Sequence, residues 1–124
     1  MERDCDRIVR NDRVVWATSM VACGDADGAV TGNTRRFGAS LEKIKQVVDV
    51  RKGEIMFGLN MIVHKGRTIF IGDTSVHEYP TSEQMAKIAI STARVVRLFG
   101  FDPKVAFVSH STFGQPLTSR TKHI

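Results

Sequence analysis

The sequence contains few of the residues that mark several common classes of protein. It has only two cysteines, one tryptophan and one tyrosine among its 124 residues. Cys5 and Cys23 lack the CxxC spacing and the nearby histidine pair of a zinc site. We therefore expect free thiols, with Cys23 buried, and no metal site. No apolar run reaches the about 20 residues of a membrane helix, and the charged residues 1–5 do not resemble a secretory signal. These features predict a cytoplasmic protein with no membrane contact.

The sequence also lacks the short motifs of familiar catalytic and nucleotide-binding sites. It contains no Walker loop, no GxGxxG, no GxSxG and no HExxH. Without a dinucleotide fingerprint or a cluster of carboxylates, we expect this chain to bind neither NADP nor a divalent metal.

An excess of basic residues is present, but it is dispersed. Eighteen lysines and arginines against thirteen aspartates and glutamates give a net charge of +5. The basic side chains alternate with acidic ones, as in residues 42–45 and 49–54, and no aromatic platform accompanies them. This pattern favours a solvated surface with a pocket for an anion, and we expect no nucleic-acid partner.

The most informative pattern is a set of short apolar runs that end on glycine and small polar residues. It occurs at residues 24–32, 69–74 and 105–114. Parallel α/β sheets end their strands in this way where a ligand binds, because exposed amides and hydroxyls line the crevice beyond the strand ends. The pattern predicts an anion-binding or cofactor-binding α/β domain, or a piece of one.

Two interpretations of the first element remain open. In one, Asn11 or Asp12 caps a helix that runs to Cys23 and ends at Gly24. In the other, residues 8–16 form a hairpin with a tight turn. The continuous apolar content of residues 14–22 favours the buried helix.

The remaining elements complete a mixed α/β order. They are a strand at residues 28–31, a helix capped by Ser40, a hairpin of strands 55–63 and 67–71, a helix from a Thr81–Gln84 capping box to Gly100, and a strand at residues 104–109. We expect strand 55–63 to be buried on both faces. The order predicts a largely parallel sheet with flanking helices and one antiparallel hairpin.

The candidate ligand-binding residues follow the apolar runs. They are Gly32, Asn33, Thr34, Arg35, Asp73, Thr74, Ser111, Thr112 and Gly114. Glycine permits close approach of the backbone to an anion, and arginine binds phosphate. The same residue types also form ordinary turns and solvated loops, so both interpretations remain open. We interpret His77 as a loop residue and expect no catalytic base there.

The same segments resemble a known family. Residues 24–32 resemble the GDADG segment of phosphate acetyl/butyryl transferases, residues 70–74 their strand end, and residues 107–114 their MLSYSTKG segment. Shorter segments are similar to the carboxyl-terminal phosphotransacetylase-like domain of bacterial multimodular NADP-dependent malic enzymes: residues 3–5, 11–13, 48–49, 57–59, 66–68 and 111–114. The resemblance covers essentially the whole chain.

The resemblance implies a two-lobed α/β fold of the isocitrate/isopropylmalate dehydrogenase kind, with an acyl-CoA and phosphate site between the lobes. Residues 1–52 would belong to the first lobe and residues 53–124 to the second, as parts of a larger domain. Glu42 occupies the position of an arginine that binds CoA or phosphate in active transferases. A carboxylate there repels a phosphoanion, and the chain stops before the family's catalytic Ser-Arg and Asp.

The resemblance therefore implies a regulatory fragment with no catalytic residues and no transferase activity. Its expected ligand is acetyl-CoA or another acyl-CoA acting as an effector. The rest of the parent chain would carry NADP, Mg or Mn, and the oxidative decarboxylation of malate to pyruvate. The alternative is a fragment of an active phosphate acetyl/butyryl transferase, and a third hypothesis, a nucleic-acid-binding module, has only the charge to support it. Uncovered apolar faces further predict a homo-oligomer, with a symmetric dimer as the expected form.

Overall fold

The computed structural model describes residues 2–108, with side chains from residue 4 onward. It contains six elements in the order α1 Glu2–Asn11, α2 Arg13–Cys23, α3 Phe37–Lys45, β1 Leu59–His64, β2 Arg67–Gly72 and α4 Ser82–Leu98. Between Val50 and Arg51 the chain divides into two compact units. We call them the helical unit, which contains α1–α3, and the hairpin unit, which contains β1, β2 and α4. The predicted mixed α/β class is confirmed.

The helical unit is organised around α2, which contacts both α1 and α3. Asp12 has an extended backbone and separates α1 from α2, and its carboxylate accepts hydrogen bonds from the amides of Val14 and Val15. At the other end, Gly24 has a left-handed φ of 82° and closes the helix. The predicted helix from Asp12 to Cys23 is confirmed. The alternative hairpin at residues 8–16 is wrong, because the residues before Asp12 form α1.

The core of the helical unit is small. Val14 and Val15 are each only 3% exposed, and Thr18 beside them donates a 2.7 Å hydrogen bond to the carbonyl of Val14. The prediction that Cys23 is buried is wrong: as the last residue of α2, its side chain is exposed.

Two predictions about residues 28–40 are also wrong. Residues 28–31 form no strand, and Val30 is fully exposed. A strand requires a hydrogen-bonded neighbour, and the described residues provide none here. Ser40 does not cap α3, which begins at Phe37 after the extended Arg36. Ser40 instead lies inside the helix and is only 7% exposed.

The hairpin unit contains the sheet of the described chain. β1 and β2 pair antiparallel, with Met61 opposite Phe70 and Ile62 opposite Ile69. The turn residues Lys65 and Gly66 both have positive φ, at 46° and 75°, as a tight two-residue hairpin turn requires. The predicted hairpin is thus confirmed.

The first predicted strand of that hairpin starts too early. β1 begins at Leu59 rather than at residue 55, because the amide of Gly58 donates to the Asp73 carboxylate, 2.8 Å away, instead of to a strand. The expected burial on both faces is wrong as well. Five of the six β1 residues are exposed, since a two-stranded sheet leaves much of its surface uncovered.

Helix α4 matches its sequence signals closely. Thr81 and Gln84 form the predicted capping box, and Gly100, with a φ of 81°, ends the helix. Ile88 and Val96 are 5% and 6% exposed and form the core of this unit. The helix packs against β2.

The close contact of α4 with β2 depends on a glycine. A Cβ atom added at Gly72 would lie 2.7 Å from the Oγ1 of Thr92 and 3.6 Å from Ile88. Nearby, the Phe70 ring packs against Phe99 and Phe101, with centroid separations of 5.7 Å in both pairs. These contacts fix one face of the hairpin to the helix.

The predicted parallel sheet is not found within residues 2–108, where the sheet has two antiparallel strands. Residues 104–108, the described part of the last predicted strand, form no strand, and Val108 is 87% exposed. Within the same range, no helix has the length and hydropathy needed to cross a membrane.

Candidate functional site

A cleft of about 440 Å³ opens on the helical unit between the loop at residues 30–35 and the helices α2 and α3. Its lining residues are Arg13, Val14, Trp16, Ala17, Val30, Thr31, Gly32, Asn33, Thr34, Arg35 and Ser40. The structure thus brings together four predicted ligand residues, Gly32 to Arg35. The volume lies within the range of small-molecule sites.

The loop beside the cleft turns tightly at residues 32–34. Gly32 and Asn33 have positive φ angles of 127° and 67°, and the amide of Thr34 donates to the Gly32 carbonyl at 2.8 Å. Only glycine adopts the conformation at position 32 without strain. The turn therefore explains, without any ligand, why glycine occupies this position.

Arg35 is held by an ion pair within the same unit. Its Nη1 lies 2.7 Å from Oδ2 of Asp12, while Oδ1 of the same carboxylate caps α2. The hydrogen bond from Arg35 lowers the pKa of Asp12; burial opposes it, and the amides of Val15 and Val14 reinforce it. Asp12 therefore links the loop at residues 30–35 to the start of α2, and its carboxylate compensates the positive charge of Arg35.

Arg13 provides the cleft with a cation that has no acidic partner among the described residues. Its Nη2 makes a 3.4 Å hydrogen bond to Thr34 Oγ1. The remaining donors of this guanidinium are available for an anion. Arg13 was not among the predicted ligand residues; the signal available was its position directly after the helix cap Asp12, at the positive end of a helix dipole.

Two further cleft residues were missed as binding candidates. Ser40 Oγ is buried and has no hydrogen-bond partner. Trp16 is the chain's only tryptophan, lines the cleft and is 53% exposed. A buried hydroxyl without a partner is unusual in a folded chain, and here it belongs to the same lining as an exposed indole. These two groups make the cleft a candidate binding site.

Glu42 lies elsewhere on α3. Its side chain is 71% exposed, its carboxylate lies 3.6 Å from Lys45 Nζ, and it does not line the cleft. Glu42 is therefore not among the residues that would face a ligand in this cleft.

In the hairpin unit, Asp73 organises the loop at residues 73–77, which we call the Asp73 loop. Its Oδ1 accepts hydrogen bonds from the amides of Gly58, Ser75 and Val76 at 2.8–3.2 Å. Its Oδ2 accepts from the amide of His77 at 3.0 Å and lies 2.7 Å from His77 Nδ1. With five donors around a side chain that is 2% exposed, the carboxylate is saturated.

The surroundings of Asp73 stabilise its charged form. Burial raises the pKa of this carboxyl, but the hydrogen bonds from His77 and from the amides of Ser75, Gly58 and Val76 outweigh it and lower the pKa to about 2. An ionised Asp73 requires the proton of the imidazole to lie on Nδ1. His77 is a loop residue, as predicted, and its partnership with the Asp73 carboxylate was not predicted.

Of the other predicted ligand residues, Thr74 lies in the described part of the chain and three others do not. Thr74 Oγ1 lies 3.1 Å from Asn60 Oδ1 and 3.2 Å from Ser75 Oγ, so it already has partners beside the hairpin. Ser111, Thr112 and Gly114 lie outside the described residues. Their part in a binding site stays a prediction.

Known proteins support the resemblance seen in the sequence. The family model "Phosphate acetyl/butaryl transferase" matches residues 1–124. An NADP-dependent malic enzyme of Rhizobium meliloti is 41% identical over 122 residues, which is 98% of this chain but 16% of the relative. A phosphate acetyltransferase of Nitratidesulfovibrio vulgaris is 36% identical over 107 residues, 86% of this chain and 15% of the relative.

A shorter relative gives the same result. The phosphate acetyltransferase of Corynebacterium glutamicum is 34% identical over 107 residues, 32% of its own length. The chain thus spans about one sixth to one third of the relatives that it matches. Since the family model covers every residue, the chain belongs to the phosphate acetyl/butaryl transferase family.

Proposed function

We propose that this chain is an acyl-CoA-binding regulatory part of an NADP-dependent malic enzyme and does not itself catalyse acyl transfer. The observation that carries the proposal is the cleft of the helical unit, where Arg13 has no acidic partner among the described residues, its one side-chain hydrogen bond being to Thr34, and the Ser40 hydroxyl has no hydrogen-bond partner. Similarity to the malic enzyme of Rhizobium meliloti over nearly the whole chain supports this assignment.

The charges around the cleft favour an anion. Asp12 neutralises Arg35, which leaves Arg13 as an excess positive charge on the lining. The lining contains no carboxylate. A phosphate group is therefore attracted by the guanidinium, which can donate two parallel hydrogen bonds to it.

The proposal includes the finer fold implied by the resemblance. The segments at residues 28–31 and 104–108, which form no strand among the described residues, would belong to a larger, mostly parallel sheet of a two-lobed domain. The exposure of Val30 and Val108 is consistent with this, because both side chains lack apolar neighbours here. NADP, a divalent metal and malate oxidation would belong to the rest of the parent enzyme.

Binding can be measured directly, because Trp16 is the only tryptophan and lines the cleft. Titration with acetyl-CoA should change its fluorescence in a saturable manner. Arg13→Ala should weaken binding about tenfold or more, since a hydrogen bond to a charged group contributes about 1.5–3 kcal/mol.

The matched control for Arg13→Ala is Arg7→Ala, which removes an equally basic residue of the same unit. Arg7 pairs with Asp4 on the surface and does not line the cleft. Its variant should bind as the unaltered chain does. Equal losses in both variants, or no saturable binding by the unaltered chain, contradict the proposal.

A second candidate function is that of an active phosphate acyltransferase. It is favoured by the phosphate acetyltransferase relatives and by the exposed position of Glu42, whose carboxylate does not face the cleft. The test is an assay with acetyl-CoA and phosphate. We expect no turnover; turnover that is lost in a folded Ser111→Ala variant establishes the alternative.

Assembly is the third part of the proposal. Ile62, Ile69 and Ile71 share one face of the hairpin and are 46%, 57% and 41% exposed. Apolar side chains grouped in this way are commonly covered by a partner, and we propose a symmetric dimer. Sedimentation at micromolar concentration should show it, and Ile69→Lys should weaken it. A monomer at every concentration contradicts this part alone.

A further inference from the structure

The indole of Trp16 suggests which part of a ligand the cleft of the helical unit accommodates. It is half-exposed along the lining, although most tryptophans of a folded chain are largely covered. An exposed aromatic face in a cleft is a surface on which a planar ring stacks, and such stacking contributes about 1–3 kcal/mol per nucleobase. The acetyl and pantetheine portions of acetyl-CoA contain no aromatic ring.

The polar groups of the cleft complement a nucleotide as well. Ser40 Oγ is buried without a partner and can both donate and accept a hydrogen bond. The edge of a purine presents donors and acceptors side by side, so that it provides the partner that Ser40 lacks. Arg13 lies three residues before Trp16 on the same helix, one turn away, and its free donors suit a phosphate.

We propose that the cleft binds the nucleotide end of its ligand, with a purine ring stacked on Trp16 and a phosphate on Arg13. This inference rests on the proposed acyl-CoA binding and adds to it the part of the ligand that is recognised. It implies that adenosine 3′,5′-bisphosphate alone is sufficient for binding, because the thiol-bearing arm makes no contribution to the contacts at Trp16 or Arg13.

The test compares three probes on the 124-residue chain: acetyl-CoA, adenosine 3′,5′-bisphosphate and 4′-phosphopantetheine. The bisphosphate should quench Trp16 fluorescence and compete with acetyl-CoA, and phosphopantetheine should do neither. Competition by phosphopantetheine but not by the bisphosphate overturns this inference and leaves acyl-CoA binding intact. If acetyl-CoA itself does not bind, the proposed function fails together with the inference.

Variants measured by calorimetry separate stacking from general packing. Trp16→Ala should weaken binding of the bisphosphate about tenfold or more, as the loss of one stacked base predicts, and Trp16→Phe should recover part of the loss. Phe37→Ala is the matched control, since Phe37 is 56% exposed in the same unit and does not line the cleft. Equal affinity of Trp16→Ala and Phe37→Ala overturns the inference, with circular dichroism used to verify that each variant is folded.

Discussion

In the helical unit, the cleft contains polar groups that the chain leaves without partners, whereas in the hairpin unit the Asp73 loop supplies partners for its own. Ser40 Oγ accepts and donates nothing, and Arg13 makes one long hydrogen bond. Asp73 in contrast accepts five. Groups without internal partners are available to a ligand, and saturated groups contribute to stability instead.

The largest loss of stability is expected when the Asp73 carboxylate is removed. Asp73→Ala leaves four backbone amides and the His77 ring without their acceptor, and we expect a loss of about 3 kcal/mol in the free energy of unfolding. Urea denaturation measures it. Asp102→Ala, at an exposed site of the same unit, should cost little. A similar loss in both variants shows that Asp73 is not the organiser of its loop.

The second prediction concerns pH. The folded state holds the pKa of Asp73 at about 2 against an ordinary value of 3.8, so its contribution to stability is complete above about pH 5 and is lost as the pH falls through about 2. The difference corresponds to about 2 kcal/mol. Asp73→Asn should show a correspondingly flatter decline of stability over this range. Parallel pH profiles of the two proteins contradict the assignment.

The third prediction concerns the two roles of Asp12 in the helical unit, as the cap of α2 and as the ion-pair partner of Arg35. Asp12→Ala removes both the cap of α2 and the ion pair with Arg35, and should cost about 1–2 kcal/mol. Asp12→Asn keeps a capping oxygen and loses only the charge, and should cost less than half as much. Thermal unfolding of the two variants measures the difference. Equal costs show that the ion pair, not the cap, holds this junction together.

The smallest expected effect is that of Ser40→Ala. No hydrogen bond is lost and alanine is the better helix former, so stability should stay within about 0.5 kcal/mol of the unaltered chain. Affinity for acetyl-CoA should nevertheless fall, because Ser40 is one of the residues that line the cleft and its hydroxyl has no partner within the chain. A loss of stability comparable to that of Asp73→Ala removes the contrast between the two regions.

Predictable features of the fold were those encoded by neighbouring residues. The capping box of Thr81 with Gln84 marks the start of α4, and Asp12 and Gly24 mark the two ends of α2, each through contacts within a few residues. The hairpin turn at Lys65 and Gly66 is equally local. Such signals are complete in the sequence itself and need no tertiary information.

The features that sequence reasoning missed depend on distant residues. Ser40 has the residue type of a helix cap, yet it lies inside α3 and is buried there. Asp12 was seen as a cap, but its ion pair with Arg35 spans 23 residues. The start of β1 is set by Asp73, fifteen residues beyond Gly58. Strand propensity at residues 28–31 was likewise insufficient without a neighbouring strand.

The candidate site was likewise predicted in part: its loop was predicted from the sequence, and the helix that faces the loop was not. Glycine and arginine after an apolar run indicated the loop at Gly32 to Arg35, which does line the cleft. The helix on the other side of the cleft was missed: residues 14–22, which include Trp16, were interpreted as a buried helix, and Arg13 just before them was not considered as a ligand residue. Only the packing of that helix against the loop reveals a shared lining.

The contact between Gly72 and Thr92 has a consequence for how this sequence can diverge. Because a methyl group at position 72 would meet the Thr92 hydroxyl at 2.7 Å, the two sites cannot drift independently. Among descendants of this sequence that keep the packing of α4 on β2, we expect alanine at position 72 to be accompanied by a smaller residue or a different side-chain rotamer at position 92. The two positions should therefore vary together in lineages that have kept this interface.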